Sequence, residues 1–149
     1  MQVGGMYLLR SIAINGAGSS EPSEELAVAL ARLPNKPLAP TFSTRSTRNS
    51  HIIEWTDAES LDIPILGYKL YSDFGEPGNQ YLIWDGANDT QTISYAQSVE
   101  VGVQYSYWLS AHNFNGATQS DVSKKFGCVA PSNFQSLKVT FESVSKTGL

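Results

Sequence analysis

The sequence predicts an all-β protein built as an antiparallel sandwich, and three observations carry that prediction. Short runs rich in β-branched and aromatic residues recur along the chain, separated by clusters of Gly, Pro, Asn and Asp. Between the two proline-marked boundaries described below, no stretch follows a helical period. The third observation is a repeat: Val101–Gly116 (VGVQYSYWLSAHNFNG) has an earlier copy at Val3–Gly18 (VGGMYLLRSIAINGAG). Val3, Gly4, Tyr7, Ala13, Asn15 and Gly18 match Val101, Gly102, Tyr105, Ala111, Asn113 and Gly116, each pair 98 residues apart (105 − 7 for the tyrosines). A chain of 149 residues cannot hold two whole copies of a unit that size. The expected organisation is therefore one complete unit over residues 34–130. Residues 1–33 would supply the last two strands of a like unit before it, and residues 131–149 the first strand of one after it.

Taken in order, Tyr7–Ile14 reads as a strand and Asn15–Ser20 as a turn. Glu25–Ala31 (ELAVALA) has helical composition but alternates Leu26, Val28 and Leu30 against alanines. The repeat decides for strand, because the equivalent stretch after Gly116 has no helical pattern. Leu33–Pro40 holds three prolines and reads as a stiff, extended linker. Seven strand candidates follow: Pro40–Thr44, Ser50–Trp55, Ile65–Ser72, Gln80–Trp84, Thr92–Tyr95, Gln104–His112 and Val122–Val129. Ala130-Pro131 repeats Leu33-Pro34 and marks the second boundary, after which Leu137–Phe141 alternates like a first strand.

Composition narrows the function. Charged residues make up only 16% of the chain, with Ser, Thr, Asn and Gly filling the gap, a balance that fits a secreted or surface β-protein. A net charge of −4 with no block of Lys or Arg gives no electrostatic footprint for nucleic acid and none for an anionic membrane. No apolar run approaches a membrane span, so no membrane insertion is expected within this segment. Cys128 is the only cysteine, which rules out an internal disulfide and reads as a small apolar filler near a strand end. His51 and His112 are the only histidines, and no local spacing of His, Cys, Asp and Glu converges on a metal. Asp57, Glu59 and Asp62 read as a solvated acidic turn, since no calcium-loop pattern accompanies them. No nucleophile elbow is present. No catalytic residue, metal or cofactor is expected.

At several points the sequence resembles a fibronectin type III domain. Trp55 ends the second strand, Gly67-Tyr68 begins the third, and Val99, Val101 and Gly102 lead into Tyr105. Tyr105, Tyr107, Leu109, Ala111, Asn113 and Gly116 then fit the family's sixth strand. The resemblance implies a seven-stranded immunoglobulin-like β-sandwich, with Trp55, Tyr68, Val99, Tyr105, Tyr107, Leu109 and Ala111 in structural roles. It implies that Tyr105 is a tyrosine corner, its hydroxyl tied to nearby backbone. Two positions depart from the pattern: Val3 and Val101 stand where Pro is usual, and His51 where an inward aliphatic residue is usual. The family's Arg-Gly-Asp motif is missing from Asn113–Gln119 and from Asn15–Glu21.

A period of two sends Tyr105, Tyr107, Leu109 and Ala111 inward, and Trp108 and His112 outward. The same logic turns Lys69 and Tyr71 outward on the third strand. Lys69, Tyr71, Trp84 and Trp108 are therefore the candidate contact patch. The competing reading is a ladder on which the stem of Lys69 covers Trp108. Asn88-Asp89-Thr90 is a glycosylation sequon at a turn. The expected function is a non-catalytic structural or adhesive module of a tandem array in a larger extracellular or surface protein. Its partners would be the neighbouring domains and a protein partner. An intracellular scaffold of a cytoskeletal or ciliary assembly, and a carbohydrate- or ligand-binding accessory domain of a larger enzyme, are the alternatives.

Overall fold

The computed structural model describes residues 2–128, and every regular element in them is a strand. The expected boundary at Ala130-Pro131 and the strand expected within 131–149 lie outside the described residues. The complete unit places β5 (Thr41–Phe42), β6 (Ser50–Glu54) and β9 (Ser94–Ser98) in one sheet, in the order β5-β6-β9. The facing sheet runs β11-β10-β7-β8, from β7 (Gly67–Ser72), β8 (Tyr81–Gly86), β10 (Gln104–Asn113) and β11 (Gly116–Gln119), with β12 (Ser123–Phe126) also paired to β10. All pairings are antiparallel. The last strand is thus split in two. Ser120 causes the break: its backbone N–H donates to the Leu109 carbonyl (2.8 Å) while its hydroxyl accepts from the Leu109 N–H (3.0 Å). Gly116–Gln119, outside every strand expected from the sequence, is strand because it continues the hairpin out of Asn113. The fifth strand starts at Ser94 rather than Thr92, because the Asp89 carboxylate accepts from the N–H groups of Gln91 and Thr92 and from the Thr92 hydroxyl. Those bonds hold 89–92 as a turn.

Alternation along β6, β7 and β10 builds the core between the sheets. Ile53, Leu70, Tyr107, Leu109 and Ala111 are fully buried, and Trp55, Tyr68, Val99 and Tyr105 nearly so. The buried His51 stands among Phe42, Tyr105 and Tyr107, all edge-on to it with centroids 5.6–5.8 Å away. Its Nε2 lies 3.0 Å from the Phe126 carbonyl, which can only accept, so Nε2 carries the proton. Nδ1 is then free to accept from the Tyr107 hydroxyl at 2.9 Å. A histidine fits this aliphatic position because both nitrogens find partners across the sandwich.

Residues 2–31 reproduce the last hairpin of the sandwich. β1 (Met6–Leu9) pairs with β4 (Leu26–Ala29), and β2 (Ile14–Asn15) with β3 (Gly18–Ser19). Asn15 faces Gly18 as Asn113 faces Gly116. Met6 faces Ala29 as Gln104 faces Phe126, with one extra residue in the first copy's return strand. Gly4 and Gly102 both turn left-handed, at φ +82° and +86°. The Tyr7 hydroxyl accepts from the Gln2 N–H, and the Tyr105 hydroxyl from the Glu100 N–H at 2.9 Å. Even the serine break recurs: the Ser23 hydroxyl accepts from the Ser11 N–H at 3.0 Å. In the first copy the strand is interrupted over residues 10–13; β10 runs straight through because β7 pairs its other edge.

Candidate contact surface and junction

Two surfaces of the sandwich gather side chains that lie outside its core. The first is the outward face of the larger sheet. Trp108 on β10 lies in register with Tyr71 on β7, and Ser110 with Lys69, so Trp108, Tyr71 and Lys69 share that face. Trp108 and Tyr71 are half-buried. Lys69 Nζ donates to Asp85 Oδ2 at 2.9 Å. That hydrogen bond raises the Lys69 pKa and lowers that of Asp85. The lysine is thus drawn sideways toward β8.

Trp84 does not belong to this patch. It pairs with Leu70, which points inward, and its ring lies 5.2 Å from that of Trp55. The register of β8 shifts at Leu70/Tyr71, so Leu82 rather than Ile83 faces Tyr71. The outward apolar group is therefore Tyr71, Trp108 and Leu82, the last 47% exposed. Strict alternation along Gln80–Trp84 could not reveal this, because a bulge changes phase without a sequence mark. His112, also on this face, reaches the Ala87 carbonyl through Nε2 at 2.7 Å. It sits opposite Gly67, where a Cβ would lie 1.9 Å from the Gly86 carbonyl oxygen. Asn88 is exposed on the turn after β8.

The structural side chains stand as follows. The Tyr68 hydroxyl accepts from the Ala58 N–H at 2.8 Å, and burial raises its pKa. Burial pushes the Tyr107 hydroxyl up further, and it pushes the His51 imidazole down. Cys128 is exposed beyond β12, not packed as an apolar filler. Among the described residues no group of His, Cys, Asp and Glu gathers to hold a metal, and no helix is long and apolar enough to cross a membrane.

The second surface is the loop end of the sandwich, where the first hairpin enters. Pro34, Pro37 and Pro40 recur every third residue, the polyproline II period, and all three are buried. The linker thus lies along the sandwich. Asp62, in the loop between β6 and β7, accepts from Arg32 three times: from its backbone N–H (2.9 Å), Nε (2.9 Å) and Nη2 (3.0 Å). These bonds hold its carboxyl down at about 2. From the β10–β11 turn, Asn113 Nδ2 donates to the Arg32 carbonyl (2.8 Å), and Asn115 Nδ2 to the carbonyls of Ala29 (3.1 Å) and Ala31 (2.6 Å). Asn35 bonds the Glu59 carbonyl at 3.1 Å, and Lys36 pairs with Asp121 at 2.6 Å. Two of the three residues read as a solvated acidic turn, Glu59 and Asp62, therefore hold the linker. The partners lie 24 and 30 residues away in sequence, so no local spacing announced them.

Two facing antiparallel sheets with a tyrosine corner at their crossing define an immunoglobulin-like sandwich. More particularly, the complete unit has the fibronectin type III fold. It is similar to the sixth fibronectin type III domain of human fibronectin type III domain containing protein 3, at 20% identity and a TM-score of 0.55, over 67% of this chain and 92% of that one. A second solution structure, of a fibronectin type III domain of human fibronectin type III domain containing protein 3, matches at 20% identity and a TM-score of 0.52, over 66% of this chain and 89% of that one. The chicken CNTN1 FN1–FN3 domains match at 15% identity and 0.51, over 87% of this chain and 44% of that one, a span that takes in more than the sandwich. No family model matches the sequence.

Proposed function

We propose that this chain is a non-catalytic spacing and adhesive module within a tandem array of fibronectin type III units in a larger extracellular or surface protein. The observation that carries the reading is the first hairpin. It repeats the register, corner and serine break of β10–β12, and it enters at the loop end of the next sandwich. Residues 1–33 are then the close of a preceding unit, 34–130 a whole one, and 131–149 the opening of the next. The array sets distances, and the outward face of Lys69, Tyr71, Leu82 and Trp108 meets a protein partner. That face is particular to the complete unit: at the Trp108 position the first hairpin carries Arg10, ion-paired to Glu25. Asn88 is exposed, so its sequon is open to glycosylation in a chain at that location.

Small-angle scattering tests the spacing role. The reading expects an elongated particle, longer than the sandwich by the full reach of the first hairpin. A particle with the dimensions of one sandwich, the hairpin folded back on it, overturns the reading. Release of a glycan from Asn88 of native material by an amidase checks the location.

A further inference from the structure

We infer that the loop end of the sandwich is a fixed joint whose occupant is the chain's own preceding unit, locked there by Arg32, Asp62, Asn113 and Asn115. This deepens the array reading and rests on it. The contacts do more than bring two pieces together, because they over-determine one orientation. Arg32 meets Asp62 through a planar two-pronged guanidinium pair, which fixes direction as well as distance. The Arg32 N–H donates to that same carboxylate while the Arg32 carbonyl accepts from Asn113, so one residue is held on three sides. Asn115 bridges two carbonyls two residues apart, which a rotated return strand could not present together. The Asp62 side chain is only 6% exposed, so its charge depends on Arg32 for partnership.

Steric fit agrees. A Cβ on Gly4 would stand 2.8 Å from the Asp62 carbonyl oxygen, and one on Gly116 would stand 3.0 Å from the Leu33 side chain. The corner glycine of the first hairpin is thus pressed against the next unit. Its counterpart Gly102 has nothing within 4 Å among the described residues. The lock is also particular to this joint. The first hairpin's own turn carries Ala17 where Asn115 stands, and Val129 occupies the place that corresponds to Arg32. Ala17 retains only the local bond, its N–H to Asn15 Oδ1 at 2.8 Å. A strand end bearing Arg two residues before the linker proline, behind a Gly corner, is the chemistry that this loop end accepts.

The test uses the whole chain in solution. Carboxyl carbon titration should place Asp62 at about 2, and Arg32→Gln should raise it, with the backbone N–H of residue 32 still bonded to it. Amide order parameters of residues 29–33, 35 and 36 should equal those of β10, about 0.85, and fall below about 0.6 when Arg32→Gln is combined with Asn115→Ala. Both variants should keep the folded sandwich, since neither position is in the core, with a lower thermal midpoint because the Asp62 carboxylate loses its ion pair. An ordinary Asp62 titration in the unmodified chain, or residues 29–36 already loose, overturns the inference. An elongated particle with a loose joint defeats the lock alone and leaves the array reading standing; a compact particle defeats the array reading.

Discussion

The first hairpin and the last are one backbone design in two surroundings. Tyr7 and Tyr105 make the same corner bond, Gly4 and Gly102 the same left-handed turn, and Asn15 and Asn113 the same tight turn. Burial separates them. Leu9 is 42% exposed, whereas Tyr107, at the same position, is fully buried against Phe42 and His51. Register and turn geometry are therefore local properties, written in a few hydroxyls, glycines and asparagines. Stability belongs to the strands that cover the hairpin, and only the second copy has β5, β6 and β7 over and beside it.

Substitution should break the two copies apart. Leu109→Ala leaves a cavity in a fully enclosed site and should cost about 3 kcal/mol in chemical denaturation. Leu9→Ala should change the sandwich transition by less than about 0.5 kcal/mol. Equal effects would show that the first hairpin is covered as the second is.

Acid should separate them next, because only the complete unit buries a histidine. Burial lowers the folded pKa of His51 below its ordinary 6.5, so the unfolded chain binds the proton more readily. Stability then falls as pH drops from 6.5 toward the folded value, by up to about 1.4 kcal/mol per pH unit, and is constant above that window. Denaturation at about pH 5 and about pH 7.5 should show this loss, and His51→Leu should shrink it. An unchanged loss in that variant would place the acid sensitivity elsewhere.

The corner bonds give a smaller contrast. Tyr105→Phe should cost about 1 kcal/mol, because the Glu100 N–H loses its partner beside the core, while Tyr7→Phe, exposed, should not be measurable in the sandwich transition. Trp108→Ala should shift stability by less than about 1 kcal/mol, as its side chain lies on the outward face of the sheet and not in the core. A loss comparable to Leu109→Ala would mean that the outward face holds the fold together and is no contact surface.

Period and repeat made most of this fold legible. Tyr105 to Ala111 alternate cleanly because β10 is flanked on both sides, and Trp55 and Tyr68 lie in the core where the family pattern sets them. Trp84 belongs to the core side instead of the patch, because β8 pairs it with the inward Leu70, a register that the sequence of β8 does not announce. The joint escaped the sequence for a different reason. Asp62 and Asn115 are ordinary loop residues until the chain brings Arg32 and Ala31 back to them from 30 and 84 residues away. Such recognition depends on three-dimensional proximity, and no motif of fixed spacing encodes it.

The most direct measurement of the shared design is the register of the first hairpin in solution, read from cross-strand nuclear Overhauser contacts. The account predicts Tyr7 opposite Val28 and Ile14 opposite Ser19, mirrored by Tyr105 opposite Lys125 and His112 opposite Ala117, with faster amide exchange in the first set. A different register at Tyr7, or amide protection there equal to that at Tyr105, would contradict it.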